Sequence, residues 1–119
     1  MHVLVHCDDQ ISCSEELIQR VEGVVAGTLE RFSDRISRIE AHLRDLNTPT
    51  PGDRDKVCSL EARFAGGTSV LASHEAPTLT EAIHDAADKL KRVVARELQQ
   101  LDQTLRGNPQ ASLSGRPAK

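Results

Sequence analysis

The chain has 119 residues, 15 basic and 18 acidic, and a formal charge of −3 at pH 7. That length suits one domain with a modest core, and 38% hydrophobic against 28% charged residues is a globular rather than a disordered composition. Phe32 and Phe64 stand without any Tyr or Trp, which argues against single-stranded nucleic-acid binding on stacked aromatic platforms. From Arg106 onward there are three basic residues and no acid, leaving 12 basic against 18 acidic residues, a formal −6, for the rest. Such a domain is no general polyanion binder, so any nucleic-acid contact must run through a local basic patch. Apolar runs such as Val24-Val25-Ala26 and Val93-Val94-Ala95 are too short to span a membrane. The His2-Val3-Leu4-Val5-His6 start lacks the basic and apolar regions of a secretory signal. Cys7, Cys13 and Cys58, an odd count without framework spacing, read as reduced thiols of a cytosolic protein.

The weakly alternating, Val-rich stretch 2–7 predicts a short strand, and Asp8-Asp9-Gln10 a turn. Ser12 and Glu15 have capping-box spacing, with Ser14 a competing N-cap. Leu17, Val21, Val24, Val25, Thr28, Leu29 and Phe32 then share one helical face, which predicts a helix from Glu15 to about Ser33-Asp34. Gly23 and Gly27 weaken it and are expected to admit close packing on a sheet. The period next becomes two: Ile39, Ala41 and Leu43 alternate with Arg38, Glu40, His42 and Arg44, a half-buried strand. Asn47 to Asp53, with two prolines and a glycine, is a loop. A second alternating strand turns Cys58, Leu60, Ala62 and Phe64 one way and Val57, Ser59, Glu61 and Arg63 the other. Gly66-Gly67 makes a hairpin into a third strand over roughly Thr68 to Glu75.

Thr78 and Glu81 form another box at the start of the last helix. Leu79, Ile83, Ala86, Leu90, Val93, Val94, Leu98, Leu101 and Leu105 give it a long apolar stripe, which Gly107-Asn108-Pro109 stops. The domain therefore spans 1–106, and the Ser-, Gly- and Pro-containing stretch 107–119 is expected to be a disordered tail. The order β-α-β-β-β-α, with one apolar face per helix, predicts an α+β two-layer sandwich. Both helices cover one face of a four-stranded sheet. The other face is left open, bearing Arg38, Glu40, His42, Arg44, Glu61 and Arg63.

Lys89, Arg92 and Arg96 fall within about 60° of one another on the solvent side of the last helix. Such a row can follow a phosphate backbone. It is equally a solvated face: Asp85 and Lys89 have the spacing of a favourable ion pair, and acids early with bases late suit the helix dipole. Arg38, Arg44 and Arg63 on the open sheet face could likewise contact phosphates or pair across strands with Glu40 and Glu61. Arg54 and Lys56 beside the proline loop read as mobile charges. His2, His6, Cys7, Asp8, Asp9 and Cys13 suggest a metal cluster, but their spacing matches no zinc pattern, and adjacent strand residues such as His6 and Cys7 point to opposite faces. No metal site and no cofactor are expected. Cys58 falls on the core face, and His74 and His84 have no evident orienting partner. No phosphate loop, nucleophile elbow or carboxylate pair is present, so no enzyme is expected.

Ala82-Ile83, followed by Ala86-x-Asp88-Lys89-Leu90-x-Arg92 on the last helix, together with the element order, resembles the ribosome hibernation promoting factor family. This family is also known as the ribosome-associated inhibitor or sigma-54 modulation family. The resemblance covers about residues 2–100, in a short single-domain form without a second, dimerising domain. Thr78, Thr80 and His84 stand where the family typically has Asp, Tyr and Asp. The resemblance implies a double-stranded-RNA-binding-domain-like fold. It further implies a non-enzymatic, cytoplasmic factor, monomer or weak dimer, that binds the small ribosomal subunit in its RNA channel and inactivates or protects idle ribosomes. No membrane and no small-molecule substrate are implied. By residue, it turns Lys89, Arg92 and Arg96 toward ribosomal RNA, with Arg38, Arg44 and Arg63 as further contacts. RNA can be read this way by shape and phosphate position, without aromatic stacking. Two alternatives remain open: a diverged module of the same fold contacting a protein, and a small metal-binding or thiol stress protein.

Overall fold

The structure, a computed structural model, describes residues 1–47, 49 and 53–107, with side chains through residue 103. In chain order it forms β1 (His2–Cys7), α1 (Glu15–Thr28), a 3-10 turn (Glu30–Phe32), β2 (Ile36–Asp45), β3 (Lys56–Phe64), β4 (Ser69–Ala76) and α2 (Leu79–Gly107). The expected tail lies outside the described residues beyond Gly107, as do Thr48, Thr50, Pro51 and Gly52 of the expected loop.

The sheet order is β1-β2-β3-β4. β1 runs parallel to β2, which the intervening α1 permits, and the other pairs are antiparallel. Registered neighbours share a face, so Val3, Ile39, Ala62 and Val70 form one row of the covered side, and Val5, Ala41, Leu60 and Ala72 the next. These rows pack against Val21, Val25 and Leu29 of α1 and its exit, and against Ile83, Ala86, Leu90, Val94 and Leu98 of α2. Both helices therefore lie on one side, as the single apolar stripe on each requires.

Local chemistry sets the element ends. Ser14, not Ser12, caps α1: its hydroxyl accepts from the Leu17 N–H at 3.1 Å. Thr78 Oγ1 accepts from the Glu81 N–H at 3.2 Å and donates to Glu81 Oε1 at 3.1 Å at the head of α2. α1 is shorter than its apolar spacing suggests. Leu29 leaves the helix at φ −105°, ψ 15°, and the 3-10 turn carries Phe32 into the same core. An i, i+3 turn keeps apolar side chains on a common side, which is why periodicity alone does not mark this end. Gly23 and Gly27 do not admit close packing, because a β-carbon at either position would meet nothing within 4 Å. In the β3–β4 hairpin Gly67 has φ +100°, a conformation that favours glycine.

The expectation of three reduced thiols is corrected. The turn after β1 folds back so that Cys7 and Cys13 lie 5.8 Å apart at Cα and form a disulfide. Asp8 organises this turn: its carboxylate accepts from the Gln10 and Asp45 N–H groups, tying the end of β1 to the end of β2. Cys58 is a free, buried thiol in the core, where loss of solvation pushes its pKa up to about 12. Lys56 is ion-paired rather than a free charge. Its ammonium lies 2.8 Å from Asp55 and 3.4 Å from Asp45, and the hydrogen bond to Asp55 raises its pKa above the ordinary value.

Candidate nucleic-acid interface

α2 packs over β3 and β4 with its apolar stripe and presents a charged flank beside the β4 edge. Lys89, Arg92 and Arg96 are all exposed there. The ion pair expected between Asp85 and Lys89 does not form. Asp85 Oδ2 lies 3.4 Å from His74 Nε2, and Lys89 donates to the Ser73 carbonyl at 3.1 Å. Both helix side chains turn instead to the edge strand β4, Lys89 to a backbone carbonyl and Asp85 to the imidazole of His74. Arg54, Ser73, His74, Glu75 and Lys89 line a shallow groove at this edge. Arg54 donates to the Glu75 carbonyl at 3.4 Å. Arg92 and Arg96 have neither an ion-pair nor a hydrogen-bond partner among the described residues.

The open face carries the residues expected on it, but their pairing differs. The register sets Arg38 opposite Arg63 and Glu40 opposite Glu61, so like faces like across β2 and β3. The cross-strand ion pairs that would have explained these charges do not form. Arg38 instead reaches along its own strand to Glu40 Oε2 at 3.2 Å. Arg44 and Arg63 have no side-chain partner among the described residues. Val57 is buried on this same face, in register between Arg44 and Glu75.

Sequence reading missed the pair His6 and His42. The parallel β1–β2 register sets them side by side on the open face, rings stacked with centroids 4.7 Å apart. Their Nε2 atoms lie 3.3 Å and 3.9 Å from the same Glu40 oxygen, Oε1. Alternation in each strand turns both histidines outward, but only the register brings them together. The expected opposition of His6 and Cys7 holds: Cys7 packs toward the covered side. His2, Cys13 and Asp9 do not join His6 in a metal-holding group among the described residues.

Two of the three departures from the family segment have structural roles. Thr78 caps α2, and Thr80 accepts from Arg20 of α1 at 3.2 Å, joining the two helices. His84 is exposed. Among the described residues, no helix is long and apolar enough to cross a membrane.

The fold recurs in known structures. A ribosomal subunit interface protein from Coxiella burnetii aligns with a TM-score of 0.65 and 16% identity, covering 83% of this chain and 99% of that one. The N-terminal domain of Protein Y from Thermus thermophilus aligns with a TM-score of 0.66 and 21% identity, covering 82% of this chain and 99% of that one. A search of curated proteins found no match. The family model for sigma 54 modulation protein / S30EA ribosomal protein matches residues 5–102, from within β1 to deep in α2, and the chain belongs to that family.

Proposed function

We propose that this protein is a non-enzymatic, cytoplasmic ribosome-associated factor that occupies the RNA channel of the small subunit and inactivates or protects idle ribosomes. One observation carries the reading. On a fold whose relatives include a ribosomal subunit interface protein, Lys89, Arg92 and Arg96 form an exposed row beside the β4 edge, and none of them is held by a carboxylate among the described residues. Their charge is therefore available to phosphates, with counterion release as the driving term. Arg38, Arg44 and Arg63 extend the contact over the open face. There, RNA phosphates would relieve the like-charge opposition of Arg38 and Arg63.

Co-sedimentation of the protein with ribosomes over a salt series tests this. Binding should be tight at about 50 mM salt and fall steeply toward about 200 mM. Arg92→Glu with Arg96→Glu should weaken it at least about tenfold and flatten the salt slope by about two. Failure of the wild type to pellet with ribosomes at low salt overturns the function. Unchanged binding by the double variant overturns the site alone. A second reading, a module of the same fold docking a protein, has one observation in its favour: Leu71 is 64% exposed on the open face.

A further inference from the structure

We propose that His6, Glu40 and His42 form a divalent transition-metal site on the open face of the sheet, with zinc the ion best suited to its donors. The proposal stands independently of ribosome binding. Three observations carry it.

The first is convergence. Two imidazole nitrogens from neighbouring parallel strands point at one carboxylate oxygen, at 3.3 Å and 3.9 Å, and the three donor atoms lie within 4.8 Å of one another. Tetrahedral zinc with bonds of about 2.0–2.1 Å holds its ligand atoms about 3.3–3.5 Å apart. The His6–Glu40 separation already fits. Both imidazoles are 50% exposed, so they can turn toward a shared ion without disturbing the core.

The second is the division of labour at Glu40. Its Oε2 is held by the Arg38 guanidinium at 3.2 Å, while Oε1 faces the histidines. A carboxylate oriented through one oxygen presents the other as a fixed ligand, the usual role of an outer-shell partner. Glu61, directly across from Glu40 on β3, adds negative charge that favours a cation.

The third is the donor set. Two imidazoles and one carboxylate suit zinc, and facing solvent they leave the fourth position to water. The competing thiols are occupied: Cys7 and Cys13 are joined to each other and Cys58 is buried.

Titration of the tag-free protein with Zn2+ alone at neutral pH, by calorimetry or equilibrium dialysis, tests the site. The expected result is about one Zn2+ per chain. His6→Ala, His42→Ala and Glu40→Gln should each weaken binding at least about tenfold, and His74→Ala should leave it unchanged. Thermal unfolding read on the same samples should shift upward with Zn2+ in the wild type and not in His6→Ala. Absence of binding, or binding that survives both histidine variants, overturns the proposal. So does binding retained by His6→Ala but lost in Cys13→Ser, which would place the ion on thiols.

Discussion

The two faces of the sheet follow different rules. On the covered face the central registered rows, Val3, Ile39, Ala62 and Val70 and then Val5, Ala41, Leu60 and Ala72, are apolar from edge to edge, and the helices seal them. On the open face Arg38 lies opposite Arg63, Glu40 opposite Glu61 and His6 opposite His42. Like charges directly opposite are destabilising, so this arrangement does not serve the fold. The covered face supplies stability, while the open face retains, at Arg44 and Arg63, charge that no side-chain partner among the described residues neutralises. The α2 flank with Arg92 and Arg96 continues the same character around the β4 edge.

The largest expected effect belongs to the covered face. Leu60 is fully buried at the centre of the sheet. Leu60→Ala should lower unfolding free energy by about 2–5 kcal/mol in urea titrations. Ribosome affinity of the folded fraction should stay at the wild-type value. A loss of affinity beyond that explained by unfolding would break the separation between the two faces.

Much of this division is legible in the sequence. Alternation through Ile39, Ala41 and Leu43, and again through Cys58, Leu60, Ala62 and Phe64, gives the covered face directly, because the side-chain period of a strand is two. The α2 stripe does the same at a period of 3.6. What alternation does not carry is register. Whether Arg38 meets Glu61 or Arg63 depends on a shift between strands joined by a long loop. The meeting of His6 with His42 depends on a parallel pairing with all of α1 between the strands. The Cys7–Cys13 bridge is likewise set by the turn that Asp8 organises, not by a cysteine spacing. The site was therefore legible as a set of cations, while its pairings required the third dimension.

The second expectation sharpens the covered face through its buried thiol, Cys58. Burial raises Cys58 from 9.0 to about 12, so the folded thiol keeps its proton where the unfolded thiol has lost it. The folded state then binds more protons, and stability must fall as pH rises from about 9 toward about 12. Below pH 9 the thiol is protonated in both states and contributes no slope. The loss should be on the order of 1 kcal/mol by pH 10. Comparing urea midpoints of wild type and Cys58→Ala between pH 8 and pH 10.5 isolates it: the variant should show a shallower alkaline decline. Equal slopes would mean that the core admits water at this position.

The smallest expected effect tests the open face most directly, because stability and binding should move in opposite directions. Arg63 is exposed, its side chain has no ion-pair or hydrogen-bond partner among the described residues, and its backbone carbonyl accepts from the Ser37 hydroxyl at 3.0 Å. Arg63→Gln keeps that hydrogen bond and most of the side-chain length while removing the charge facing Arg38. Relief of the like-charge pair should raise stability by a few tenths of a kcal/mol, the scale of exposed charge interactions. The same change should weaken ribosome binding modestly and flatten its salt slope by about one, the signature of one lost phosphate contact. A stability gain with unchanged ribosome binding would confine the RNA contact to the α2 flank. A stability loss would show that Arg63 contributes through the packing of its aliphatic stem, and that charge opposition is not what distinguishes this face.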